Sequence, residues 1–265
     1  MNDKKISFII CCNNDFYLEE CMVYLQELII PDGFGVDVVT VTDAKSMTAG
    51  CNEGMRRTDA KYKIYMHQDV FITNPNFLID LLEVFAKDSQ IGLVGLAGTP
   101  YMVKSGIMWN GIRFGGHYRL EMSLETGMIR RFYPMKTGYM EMEAVDGLLM
   151  ATQYDIPWRE DLFKKWDFYD VSQSFEFQKA GYKVVLPGQS SLWYIHDCGA
   201  INLKHYDEER EIFLREYNDY MGCRKEMSSE QYIEETKKRV EYGFHGDEEE
   251  KQRLLTLVDA MDEEI

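Results

Sequence analysis

The sequence has no apolar run near the roughly 18 to 20 residues that a membrane span requires. Its opening MNDKK leads straight into a short strand pattern instead of a signal-peptide core. The expectation is a cytoplasmic protein without a membrane span. Cysteine is also sparse in any organised sense: the six (Cys11, Cys12, Cys21, Cys51, Cys198 and Cys223) form no CxxC pair, and most sit in apolar runs as small hydrophobes. That gives no sign of a thiolate zinc site and suits a reducing compartment. Only 6 prolines and 20 glycines among 265 residues exclude a fibrous repeat, and 45% hydrophobic content excludes wholesale disorder. Positive charge is short as well. A net charge of −16 argues against a nucleic-acid partner, since phosphate backbones are held by basic patches. The acidity is concentrated in residues 206–265, which carry −10, leaving −6 for the first 205.

What the sequence does contain is an alternation of strand-like and helix-like runs, the pattern of βαβ units and a largely parallel sheet. Lys5 to Cys12 reads as a strand stopped by Asn13-Asn14-Asp15, and Phe16 to Ile29 as a helix with Leu18, Met22 and Leu25 on one face. After the break at Pro31-Asp32-Gly33, Val36 to Val41 is a second strand ending near Asp43, and Ser46 to Arg57 a second helix. The stretch KYKIYMHQDVFI, residues 61–72, is a third strand that ends in His67-Gln68-Asp69. Three successive strands thus end in polar groups, and in open α/β sheets ligands bind at the carboxyl ends of strands. A carboxylate at the end of a buried strand needs a partner or a metal, because desolvating an unpaired charge is costly.

Further on, Phe77 to Ala86 reads as a helix, Ile91 to Gly98 and Val145 to Thr152 as buried strands, and Asp170 to Ala180 as a helix closed by Gly181. Tyr182 to Leu186 and Ser191 to Ile195 are the last strands expected, the latter running into His196. Residues 112–143 hold a local basic excess, Arg113, Arg119, Arg130, Arg131 and Lys136. Beyond Ile201 the chain reads as wholly helical. Ser228 with Gln231 and Asp247 with Glu250 have capping-box spacing, and Leu254, Val258 and Met261 form a stripe that can pack on the rest of the chain or pair two copies as a homo-oligomer.

The order of these pieces resembles the family 2 type of nucleotide-sugar glycosyltransferases, and most closely the branch whose strand-end motif reads HQD, the streptomycin-biosynthesis type of glycosyltransferase domain. The matching residues are Asn52-Glu53-Gly54, His67-Gln68-Asp69-Val70, Val145-Asp146-Gly147, Phe168-Tyr169-Asp170-Val171, Ala180-Gly181-Tyr182 and Ile195-His196, spread over about residues 5–205. The resemblance implies a GT-A fold: a Rossmann-like α/β domain, residues 1–205, with a mixed, mostly parallel sheet flanked by helices, followed by an acidic helical appendage, residues 206–265. It implies transfer of a sugar from a nucleotide diphosphate, with a UDP-sugar the expected donor, to a hydroxyl of a glycan or other acceptor, with inversion.

By the same resemblance Asp69 and His196 hold a Mn²⁺ or Mg²⁺ ion, whose hard-oxygen preference is met by one or two carboxylates plus the substrate's phosphates, with imidazole shifting the balance to Mn²⁺. Asp170 takes the position of the base, with Asp167 as the fallback and acceptor contact. Cys12, Asn13, Asn14, Asp43, Asn52, His67 and Gln68 fall on the nucleotide side, where Asp43 can accept the ring N–H of uracil or guanine. Trp109 and Asp146 fall on the sugar and acceptor side, and Trp158 and Trp166 are further stacking candidates. Gly50 and Gly54 serve either close approach of the nucleotide or helix packing. Two positions depart from the usual pattern. The first Asp of the strand-end motif is His67, open between ribose, metal and neighbouring backbone, and the Glu-Asp at the helix start is Tyr169-Asp170. Two other classes stay open on the residues alone: a metal-dependent hydrolase using Asp69, His196 and Asp197, and a non-catalytic sugar-nucleotide binder.

Overall fold

The computed structural model describes residues 1–115, 134–197 and 202–260. Arg119, Arg130, Arg131, Cys198 and Met261 lie outside the described residues. None of the described helices is long and apolar enough to cross a membrane.

The N-terminal half is the expected alternation: β1 (Asn2–Cys11), α1 (Asp15–Gln26), β2 (Gly35–Val41), α2 (Met47–Arg56), β3 (Ala60–His67), β4 (Val70–Ile72) and α3 (Phe77–Lys87). β1 lies between β2 and β3 and is parallel to both, with Cys11 level with Val41 on one side and His67 on the other. The three polar strand ends therefore finish at one edge. Ile6, Phe8 and Ile10 on one face of β1 and Ser7 and Ile9 on the other are all buried, which is what covering the sheet on both faces demands of a strand. Helix α2 presses onto β1 so closely that a Cβ at Gly54 would sit 2.3 Å from Cγ2 of Ile9, and one at Gly50 would sit 2.4 Å from Sγ of Cys11. Both glycines are thus explained by helix packing.

The run Ile91 to Gly98, expected as one strand, is two: β5 (Ile91–Gly95) stays in the main sheet, and β6 (Ala97–Thr99) crosses into a three-stranded sheet with β7 (Phe114–Gly115) and β9 (Ala144–Val145). Likewise Val145 to Thr152 divides at Asp146-Gly147 into β9 and β10 (Leu149–Thr152). The break has a local cause: Oδ1 of Asp146 accepts a hydrogen bond from the amide of Leu148, the side-chain-to-backbone bond typical of a turn. With β8 (Tyr139–Glu141) and β11 (Lys183–Pro187), the main sheet reads β13-β8-β11-β5-β10-β3-β1-β2. All its strands run one way except β8 and β10, whose neighbours pair with them antiparallel.

A separate two-stranded ribbon matters most for the site. β12 (Tyr194–His196) pairs antiparallel with β4, His196 opposite Val70, and the amide of Asp197 donates to the carbonyl of Asp69 at 3.0 Å. This ribbon delivers a histidine from the end of the α/β region to the tripeptide that ends β3.

The elements among the described C-terminal residues are helices except for one short strand that was not expected: α5 (Tyr206–Tyr217), α6 (Ser229–Gly243), β13 (Phe244–His245) and α7 (Glu248–Asp259). β13 forms the edge of the main sheet against β8. α5 packs Phe213 and Tyr217 against Phe168 and Phe175, the latter on α4 (Tyr169–Lys179), while Val240, Leu254 and Val258 are buried in the chain's own core. Ser228 and Gln231 form the capping box, and Asp247 caps α7 through the amide of Glu250.

Candidate active site

The ends of β1, β2 and β3 frame a crevice with two connected hollows. The smaller, about 260 Å³, is lined by Cys11, Cys12, Asn13, Thr42, Gln68 and Trp166 among others. The larger, about 670 Å³, is lined by Trp109, Asp146, Asp167, Asp170, His196 and Tyr206 among others. Asn13, His67, Asp69, Trp166 and Tyr169 border both, so the HQD tripeptide stands at their junction.

Each piece of the tripeptide does something different. Gln68 ties two strand ends together: its Oε1 accepts from the amides of Asn13 and Asn14 at 3.1 and 3.0 Å, and its Nε2 donates to Oδ1 of Asn13. Asp69 faces His196, with Oδ1 3.4 Å from Nε2, and Nδ1 of His67 lies 3.8 Å from that same oxygen. The three side chains place one ligand atom each within 4.8 Å of one another. Oδ1 of Asp69 and both ring nitrogens of His196 are buried without a hydrogen bond. Buried polar atoms are normally satisfied, so Oδ1 of Asp69 and the Nε2 of His196 that faces it are a pair of buried ligand atoms that could hold a cation together with His67. Burial works to raise the carboxyl pKa of Asp69, but the His196 and His67 rings outweigh it, so the group lies below its ordinary value and is the ionised ligand a cation needs.

Across the larger hollow stands Asp170, in the first turn of α4. The chain enters that helix through Phe168, whose φ of 54° is the left-handed conformation, and Phe168 is itself buried. Oδ2 of Asp170 accepts from the amide of Gly147 at 2.9 Å and Oδ1 from that of Val171 at 2.8 Å. Burial, then the charge of Asp146, raises its pKa to about 7 against the pull of those two amides. A carboxylate poised near neutrality, with lone pairs still open, has the properties of a general base. Asp167, half-buried at the same hollow, is also raised by burial, with His205 opposing.

The remaining expected residues divide. Cys12, Asn13, His67 and Gln68 line the smaller hollow, and Trp109, Asp146 and Asp167 the larger. Asp43 is exposed at the rim between the lining residues Thr42 and Ala44. Asn14 is spent as the cap of α1, accepting from the amide of Phe16. Asn52 is not brought to the crevice: its Nδ2 donates to the carbonyl of Trp158 and its Oδ1 accepts from the amide of Trp158. Trp158 in turn is core, edge-on to Tyr65 with ring centres 4.9 Å apart, whereas Trp166 is half exposed at the junction. Tyr169 is the residue that sequence reasoning missed. Its hydroxyl hydrogen-bonds Nε2 of His67, so the two departures from the family pattern touch each other. The signal was available, since both departures fall within quoted motifs, but nothing in their 102-residue separation says that they meet.

The fold is the GT-A architecture of glycosyltransferases. A family model, glycosyltransferase-like family, matches residues 7–217, and the chain belongs to that family. Among solved structures, the chain is similar in fold to TarS of Staphylococcus aureus, with a TM-score of 0.51 and 10% identity over 89% of this chain and 43% of that protein. The mannosyltransferase PcManGT from Pyrobaculum calidifontis, solved with GDP-mannose and Mn²⁺, matches at a TM-score of 0.49 and 13% identity over 98% of this chain and 70% of that one. The chain thus spans less than half of the longer TarS structure. No curated protein matches it in sequence.

Proposed function

We propose that the chain is a metal-dependent, inverting glycosyltransferase of the HQD branch, moving a sugar from a nucleotide diphosphate, best a UDP-sugar, to a hydroxyl of a glycan or similar acceptor. In this reading residues 1–205 carry the chemistry, and the helical residues 206–265 lend Tyr206 to the acceptor hollow. The observation that carries it is the opposition, across one crevice, of an orphaned ligand cluster at Asp69 and His196 to a carboxylate held near neutrality at Asp170.

Asp69 and His196 would hold Mn²⁺ or Mg²⁺; when bound, the ion supplies Lewis-acid stabilisation of the departing diphosphate. Cys12, Asn13 and Gln68 border the hollow assigned to the nucleotide, with Asp43 at its rim. Trp109 and Trp166 offer aromatic faces to a sugar, and Asp146 and Asp167 offer acceptors for its hydroxyls. Asp170 takes the proton of the attacking hydroxyl as the new bond forms at the anomeric carbon. The bond to the diphosphate breaks, and its electron pair leaves with the nucleotide. With Asp170 as the base, a single displacement by the acceptor hydroxyl gives inversion.

Thermal shift with UDP, GDP and CDP, each with and without Mn²⁺, tests the reading. A Mn²⁺-dependent rise with UDP is expected, and no shift with any pair sinks it. Asp170→Asn should keep that shift while lowering donor turnover by about 10³-fold, the scale of a lost general base. Turnover at the wild-type rate would remove Asp170 from its role.

A further inference from the structure

His67 and Tyr169 stand where the family pattern has carboxylates, and here they are bonded to each other. His67 is held with Nε2 on the Tyr169 hydroxyl and Nδ1 turned to Oδ1 of Asp69 at 3.8 Å. Its ring meets that of His196 edge-on, with centres 5.5 Å apart. Tyr169 is fixed in its turn: it is buried, it packs on Trp158, and Gly147 leaves room for its hydroxyl, since a Cβ there would lie 2.1 Å from it. Nothing about holding a helix start requires a buried phenol in this spot, whereas a ring that orients a ligating imidazole does.

We propose that His67 is a third protein ligand of the cation site, through Nδ1, and that Tyr169 is the positioning residue that keeps it there. The inference rests on the cation-site reading of Asp69 and His196. A metal on Nδ1 requires the proton on Nε2, which donates to the Tyr169 oxygen, so the tyrosine selects the tautomer as well as the angle. Two imidazoles and one carboxylate make a softer, less negative set than two carboxylates and one imidazole. First-row transition ions accept imidazole, Mn²⁺ the most weakly of them, whereas Mg²⁺ keeps to oxygen. The site therefore favours Mn²⁺ over Mg²⁺, and the pair His67–Tyr169 is the determinant.

The full chain, stripped of metal and supplied with UDP, should bind Mn²⁺ at least ~100-fold more tightly than Mg²⁺ by calorimetry. Pulsed electron paramagnetic resonance of the Mn²⁺ complex should show two coupled histidine nitrogens, falling to one in His67→Ala. Tyr169→Phe keeps the buried ring and should weaken Mn²⁺ binding about 10- to 100-fold, the usual effect of losing an outer-shell partner. His67→Asp should narrow the Mn²⁺ to Mg²⁺ ratio to below about tenfold. Wild-type Mn²⁺ affinity and nitrogen count in both His67→Ala and Tyr169→Phe would overturn the inference, as would equal affinity of the wild type for the two ions. If Asp69→Ala and His196→Ala still lose Mn²⁺ in that case, the cation-site reading survives without it. If the wild type binds neither ion, both fall.

Discussion

The two ends of β3 bury charge in opposite ways. Near its start, Lys63 is completely buried, and its ammonium donates to Oδ1 of Asp155 at 2.7 Å and to the carbonyl of Ala60 at 2.5 Å. At its far end Asp69 and His196 are also largely buried, yet Oδ1 and both imidazole nitrogens have no hydrogen bond. The same strand thus satisfies its charge from within at one end and leaves it without a hydrogen bond at the other. An unsatisfied buried group costs stability, so it persists where something else completes it. The sharpest way to break the comparison is to remove one carboxylate from each end. Asp155→Ala should cost about 2–3 kcal/mol in denaturant unfolding, because the buried ammonium of Lys63 loses its half-exposed counter-ion, and should leave turnover unchanged. Asp69→Ala should change stability by less than about 1 kcal/mol while abolishing the Mn²⁺-dependent UDP shift and lowering turnover roughly 10³-fold. A large stability loss in Asp69→Ala would make it a structural residue like Asp155.

Asn52 extends the contrast to a motif. Its amide is fully committed to both backbone groups of Trp158, in a buried place away from either hollow. Asn52→Ala leaves that N–H and C=O without partners, and should cost about 2–3 kcal/mol. Calorimetric affinity for UDP with Mn²⁺ should stay within twofold of wild type. A tenfold loss of affinity at unchanged stability would return Asn52 to the nucleotide.

Asp170 sits between the extremes, satisfied by two amides yet held away from its preferred ionisation. Turnover needs the ionised form, so its logarithm should rise with unit slope below pH 7 and level off above it. Stability runs the other way. A carboxyl whose folded pKa is raised contributes stability at low pH that is lost as pH rises from its ordinary value, near 4, to about 7. Asp170→Asn escapes that loss but gives up one amide bond. It should be more stable than wild type by about 2 kcal/mol at pH 8 and should lose that advantage by pH 5. Equal pH dependence in the two proteins would show that Asp170 ionises normally.

Much of the fold was legible because strand and helix periods are local: β1, β2, β3 and α3 lie within a few residues of where the apolar pattern puts them. The single runs at Ile91 and Val145 misled for a physical reason. Both are apolar throughout, and their breaks are set by which sheet each half joins and by the turn at Asp146, not by composition. The convergence of Asp69 and His196 was legible only through the family resemblance in the order of motifs, since the ribbon of β4 with β12 that unites them is a pairing across more than 120 residues. Tyr169 was illegible as a partner for the same reason. β13 was missed because two residues between helices carry no periodicity.

The smallest effect belongs to a place where sequence alone named both partners. Ser228 and Gln231 form the reciprocal box that starts α6, Oγ accepting from the Gln231 amide at 3.3 Å and Oε1 of Gln231 from that of Ser228 at 3.2 Å. Both residues are exposed, so loss of the cap lets water take the freed amide. Ser228→Ala should therefore cost about 1 kcal/mol, at the ordinary scale for a lost N-cap. Turnover and the Mn²⁺ affinity should not move, because α6 reaches the crevice with none of its side chains among the described lining residues. A change in either would mean that the C-terminal helices transmit their state to the HQD cluster, and the line drawn here between satisfied scaffold and unsatisfied site would have to be redrawn around α6.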